Sequence, residues 1–260
     1  MIDLMKADFF KARNSSVLFV LFFFACFSSG FMFVSAHIVA EDIGRSSILQ
    51  FASFFSDAQM ISLLGCIFVG TYLCRDFNEK AIEQAIGSGK KRGQIIANKI
   101  LILILFVFLL YLPYVAGSIF LGASSISAMA FVQTIPLKFA AENNSLDLNA
   151  ETLLNIGKLF FLSTFTMASQ LSITIPFVFV LRRSVSVLAS SYLLLLLLGP
   201  VASLNSTVKD VLSFTPFYMN ADKMVLGLPN EFFFKRVLIN SCFILLIAGV
   251  SWLIFRKSEI

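Results

Sequence analysis

The chain has 260 residues, of which 58% are hydrophobic and 13% charged, with 31 phenylalanines and a formal net charge of +5. The charged share is about half that of a soluble domain, which excludes a water-soluble globular protein and leaves one membrane domain; no nucleic-acid partner is expected. At about 1.5 Å per residue, roughly twenty apolar residues cross a hydrocarbon core of about 30 Å, and six stretches of that length are present.

Met1 to Arg13 predicts an amphipathic helix, with Ile2, Met5, Phe9 and Ala12 in one stripe and Asp3, Lys6, Asp8, Lys11 and Arg13 around the rest. Leu4 and Phe10 fall among the charges. Basic side chains here can snorkel to anionic headgroups, so residues 1–15 are expected to form an interfacial elbow helix anchored by Phe9, Phe10, Lys6, Lys11 and Arg13. Asn14 to Ser16 offer a break and an N-cap.

The spans are placed at 17–37, 55–74, 97–121, 157–181, 185–204 and 236–255. The first is longer than a signal-peptide core and is read as permanent. The fold class is thus an all-α polytopic membrane protein of six transmembrane helices, whose even number puts both termini on one side. The N-terminal segment, the 75–96 loop, the turn at Arg182 and Arg183 and the tail hold 12 of the 20 lysines and arginines, which makes that side cytoplasmic.

Between spans two and three, a helix over 76–88 is expected. Phe77, Ala81, Ala85, Ile82 and Ile86 share one half of its circumference, and Glu79, Lys80, Glu83 and Gln84 the other. Gly87 and Gly89 stop it. A loop of 22 residues with its own apolar face exceeds what a hairpin of two spans requires, so it reads as a docking element; the competing reading is a helix lying on the bilayer. Gly87-Ser88-Gly89-Lys90 is no phosphate cradle, since Gln84 stands where the first glycine of a P-loop belongs and Lys91 where its hydroxyl belongs.

The 122–156 loop is read as external with an interfacial or re-entrant helix, because its apolar part, 128–139, is too short to span and contains Pro136 and Lys138. The 205–235 segment reads as aromatic-rich turns at the headgroup boundary. Within the spans, Ser169, Gln170, Ser172 and Thr174, just before Pro176, form the most polar cluster, and Asp57 and Gln59 open span two. They mark a candidate cargo path, although interhelical bonding is the commoner use of such residues. Pro113 and Pro176 are expected to kink their helices. Cys26, Cys66, Cys74 and Cys242 lie in or beside apolar runs and read as packing residues, with no metal site.

Spans without fixed charge argue against an ion or proton path and favour an amphipathic or lipid-like cargo. An intramembrane hydrolase would have to use His37, the only histidine, with the Gly122-Ala123-Ser124 step, and no His-Glu-x-x-His or paired aspartate exists. An ATP-independent channel or immunity protein would keep the topology without needing a docking helix.

From Asp76 the sequence reads Asp-Phe-x-x-Lys-x-Ile-x-x-x-Ile-x-Ser-Gly-x-x-Arg, with Asp76, Phe77, Lys80, Ile82, Ile86, Ser88, Gly89 and Arg92 at the defined positions. With the elbow helix and two spans ahead of it, this resembles the permease subunits of type 2 ABC exporters, above all bacterial permeases for antimicrobial peptides, including lantibiotic export and immunity systems. The resemblance covers the whole chain in topology and residues 76–99 in motif; members often carry threonine where Ala81 stands. It implies a homodimeric or heterodimeric pore body in a bacterial plasma membrane, exporting an amphipathic peptide. It also implies two copies of a separate ATP-binding cassette subunit that holds ATP and Mg, so that this chain binds no cofactor and catalyses nothing. The 76–88 segment becomes the coupling helix, with Phe77, Ile82 and Ile86 as its grip, Asp76, Glu79, Lys80 and Glu83 as its charged rim, and Ala81 and Ala85 between them.

Overall fold

The computed structural model describes residues 2–41, 54–79, 81–123, 149–204, 211–217 and 228–257. Within them every regular element is helical: α1 (Ile2–Arg13), α2 (Ser16–Glu41), α3 (Asp57–Phe68) continuing through a π-helical turn (Val69–Leu73) into α4 (Cys74–Asn78), α5 (Ala81–Gly87), α6 (Arg92–Ala123), α7 (Ala150–Ser172), α8 (Thr174–Leu181), α9 (Ser184–Leu204) and α10 (Asn230–Lys257). Among the described residues, five stretches are long and apolar enough to cross a membrane: Ser16–Ser35, Asp57–Phe77, Arg92–Phe120, Ala150–Leu181 and Asn230–Arg256. The fifth expected span, 185–204, coincides with α9, whose described apolar part is the shorter Ser184–Leu198. Lys80, the helix expected in the 122–156 loop, Ser124 of the hydrolase reading and most of the 205–235 segment lie outside the described residues.

The interior is built around α6, which packs against α1, α2, α3, α5, α7 and α10. Its apolar window is 61% buried, against 28% in α2 and 22% in α10, so the latter two line the periphery and present Phe19, Phe23, Phe27, Leu238, Leu245 and Leu253 outward. Between α3 and α6 the rings of Phe68 and Phe106 stack with centroids 3.8 Å apart.

Lipid tails are as apolar as leucine, so close approach and hydrogen bonds rather than apolar burial hold such helices together. A side chain on Gly117 would collide with the ring of Phe33, and one on Gly65 with Leu171. At Gly70, in the π-helical turn, a Cβ would stand 2.9 Å from the Ser184 carbonyl oxygen and 3.5 Å from Leu188 Cβ. A backbone carbonyl cannot swing aside as a side chain can. Gly70→Ala is therefore expected to cost about 1–3 kcal/mol, read as a lower melting temperature in detergent. Gly157→Ala, with nothing within 4 Å of the new methyl group, should leave the protein as stable or make it more so.

One expectation is modified. The helix expected over 76–88 is divided, because α4 carries span two as far as Asn78, and Glu79 (φ −85°, ψ 3°) turns the chain into α5. Asp76 and Phe77 thereby belong to the end of the second span. Pro113 lies inside α6, which is helical on both sides of it. Pro176 has no N–H for the Ser172 carbonyl, and there the helix breaks at Ile173, dividing α7 from α8. The stop after α5 forms as expected. Gly89 takes φ +83°, and the N–H groups of Gly89 and Lys90 donate to the carbonyls of Ile86 (2.9 Å) and Ala85 (3.1 Å), a Schellman closure.

Candidate functional site

The basic segments meet at one end of the bundle. Arg92, opening α6, donates through Nη1 to the carbonyls of Phe255 (2.6 Å) and Arg256 (3.0 Å) at the end of α10, and the Arg182 guanidinium, between α8 and α9, lies 5.9 Å from the Phe77 ring centroid.

Here a chain of six charges of alternating sign joins three elements. Lys99, on the first turns of α6, places Nζ 2.8 Å from Asp8 of α1 and 2.5 Å from Asp76 of α4. Lys11 of α1 reaches the other oxygen of Asp76 at 2.7 Å and Glu79 at 2.8 Å, and Arg75 closes the chain on Glu79. Asn98 donates to the Asp8 carboxylate, and the Tyr72 hydroxyl to the Asp8 carbonyl at 2.7 Å. The side chains of Lys99 and Asp76 are only 6% and 2% exposed. Charges so far from water persist because each has more than one opposite partner.

Lys11 and Glu79, at the wetter end of this chain, titrate away from their usual values. Burial works against the Lys11 ammonium, but hydrogen bonds and charge attraction from Asp76 and Glu79 outweigh it and hold its pKa above 10.5. Hydrogen bonds from Lys11 and then Arg75 hold Glu79 below its usual 4.5. A depressed carboxylate stabilises the fold above its unfolded value and loses that contribution as pH falls through the folded value. A raised ammonium stabilises below its unfolded value and loses the contribution as pH rises through the folded one. The docking of α1, followed by the mobility of a spin label on that helix, should therefore be constant from about pH 5 to about pH 10, loosening as pH falls below 4.5 or rises above 10.5. A change centred on neutral pH would contradict this ion-pair chain.

The coupling residues divide between two surfaces. Asp76 is buried in the ion chain, Ile82 is 4% exposed in the core, and Phe77 packs edge-on against Phe179 with ring centroids 5.5 Å apart. The grip expected of Phe77 and Ile82, and the rim position expected of Asp76, are thus taken up by contacts with this chain's own helices. Ala81, Ala85 and Ile86 are half-buried, whereas Glu79, Glu83, Gln84 and Ser88 face outward. On α1, Phe9, Phe10, Lys6 and Arg13 are exposed as expected of an interfacial helix, while Lys11 turns inward to its carboxylates, away from the headgroup position expected for it. Between α1, α5 and α6 lies an open cavity of about 440 Å³, walled by Ala81, Ile82, Ala85 and Ile95 and floored by Lys99 and Asp76.

The intramembrane polar residues fall into separate clusters. Asp57, fully buried, accepts hydrogen bonds from the Tyr111 hydroxyl (2.9 Å) and the Ala58 N–H (2.8 Å), and the adjacent Tyr114 donates to Ser28 (2.8 Å), tying α3 and α2 to α6. Gln59 is half-buried beside it. Ser169 donates to the Asn240 carbonyl of α10 at 3.4 Å and Gln170 to the Pro216 carbonyl at 2.8 Å. Ser172 donates to the Ser169 carbonyl within α7 (2.6 Å), and Thr174 donates to the Leu171 carbonyl across the Ile173 break (2.7 Å). Asp57, Ser169, Gln170, Ser172 and Thr174 therefore each have a structural hydrogen bond, as polar groups in such helices require.

Sequence reasoning missed Asp8, Asn98 and Lys99 at the basic end and Tyr111 and Tyr114 in the bundle. Lys99 did carry a signal, since a lysine three residues into a predicted span needs a carboxylate close by. Among the described residues no group of three or more His, Cys, Asp or Glu could hold a metal ion. Comparison with protein-family models, with curated proteins and with solved structures returns no match.

Proposed function

We propose that this chain is the permease subunit of an ATP-driven exporter, a six-span body in a bacterial plasma membrane with both termini in the cytoplasm. In this reading α9 is the fifth span, and the basic end faces the cytoplasm by the positive-inside rule. The carrying observation is α5. This short helix between spans two and three is seated on the bundle by Ile82 and stopped by the Gly89 closure, and it turns Glu83 and Gln84 outward. Closure of two ATPase subunits can move membrane helices only through a rigid lever gripped on both sides, and α5 is gripped on its inner side by this chain. The outer side is the partner's, so Glu83, exposed and outside the cavity lining, takes the docking role expected of Phe77 and Ile82.

ATP and Mg belong to the partner, present in two copies, and a second copy of this chain completes the pore. An amphipathic peptide suits spans that carry no fixed charge at their centres. The test is purification of the full chain from its native membrane in mild detergent, followed by assay of ATP hydrolysis and identification of co-purifying subunits. An ATP-binding cassette subunit whose hydrolysis rate responds to added amphipathic peptide supports the reading. A homogeneous preparation with no nucleotide-hydrolysing partner, still active in moving solute across vesicles, overturns it in favour of an ATP-independent channel.

A further inference from the structure

We infer that the cavity between α1, α5 and α6 is a binding site for the headgroup of an anionic phospholipid. The site does not depend on the exporter reading, because it is built entirely by this chain.

Its position comes first. α1 has two faces, of which one exposes Phe9, Phe10, Lys6 and Arg13 and the other, carrying Ala7, Asp8 and Lys11, lines the cavity. Aromatic and basic side chains on an outward face place a helix at the boundary between headgroups and acyl chains. The cavity beneath it therefore opens at the depth where phosphate groups lie. Its volume of about 440 Å³ falls within the range of small-ligand sites.

Charge comes second. Lys11, Lys90 and Lys99 line the cavity against Asp8 and Asp76. Lys99 and Lys11 are each shared between two carboxylates. Lys90, half-buried at the helix stop after α5, has no carboxylate partner among the described residues. One ammonium group is thus left over beside an apolar wall of Ala81, Ala85 and Ile95. That pairing fits an anionic headgroup with the first carbons of its chains, as basic pockets between membrane helices do. A free phosphate would use the ammonium group but not the wall. A protein segment would have to displace lipid from a cleft lying beneath the interfacial helix α1.

The experiment uses the full chain in phosphatidylcholine vesicles carrying a spin-labelled phosphatidylglycerol or, in parallel, a spin-labelled phosphatidylcholine. The motionally restricted fraction is read by electron paramagnetic resonance. Phosphatidylglycerol is expected to be favoured by roughly fivefold, the size of one lysine acting near an anionic lipid. Lys90→Gln should abolish that preference, and Lys90→Arg should keep it. Ala85→Trp, which fills the cavity without touching charge, should also abolish it; each variant is first checked for an unchanged melting temperature. Equal restriction of the two lipids, or a preference that survives both Lys90→Gln and Ala85→Trp, overturns the proposal. Release of the phosphatidylglycerol label by millimolar inorganic phosphate reassigns the site to a soluble anion. A polypeptide recovered as the main adduct of a photocrosslinking residue placed at Ala81, in the cavity wall, in native membranes reassigns it to a protein.

Discussion

Replacing Lys99 with methionine is expected to cost about 3 kcal/mol or more, the penalty for stripping one partner from a buried ion pair. Methionine matches the lysine stem in length, so the loss is electrostatic. Asp76, 2% exposed, would keep only Lys11, and Asp8 would keep Asn98 and no cation. The measurement is the melting temperature and the fraction of monodisperse protein in detergent. The double variant Lys99→Met, Asp76→Leu should recover part of the loss, because removing both charges of a buried pair is often close to neutral, while Asp8 still lacks Lys99. A Lys99→Met protein that melts with the wild type would show that these charges are hydrated, and the joint between α1, α4 and α6 would then need another explanation.

The second large effect separates the two sides of α5. Ile82→Ala removes most of an apolar side chain that is 4% exposed in the core, a truncation that costs about 2–5 kcal/mol. The variant should unseat α5 and lower the melting temperature sharply, whatever the protein transports. Glu83→Lys changes an exposed side chain, so its effect on stability should stay within about 0.5 kcal/mol. Under the exporter reading it should nevertheless reverse the charge offered to the ATPase and weaken its co-purification at least tenfold, as like-charge contact at an interface does. Comparison of the pair therefore distinguishes loss of the lever from loss of its grip. Intact co-purification with Glu83→Lys would move the docking surface off α5.

The amphipathic reading of the 76–88 segment identified which residues are apolar but not which surface they meet. A helical projection sorts side chains by face, and Phe77, Ile82 and Ile86 do share one. Whether that face serves a foreign protein or the chain's own body depends on what stands opposite it. Here α6, α1 and the ring of Phe179 stand opposite. The same limit explains α1, where Lys11 looked like a headgroup contact until Asp76 and Glu79 were brought beside it from 65 and 68 residues away.

By itself, the sequence determined the helical class, the positions of the apolar stretches, the break before α2, the stop at Gly89 and the disruption ahead of Pro176. These follow from composition, from apolar runs matched to bilayer thickness, and from backbone rules that act over a few residues. Only the tertiary structure decided that Asp8, Lys99, Asp76, Lys11, Glu79 and Arg75 form one chain of charges, that Asp57 is held by Tyr111, and that Gly70 lies against the Ser184 carbonyl. Each of these joins residues far apart in the chain. In a medium where apolar surface gives helices no preferred neighbour, their partners are set by shape and hydrogen bonding across the whole bundle, which no local pattern records.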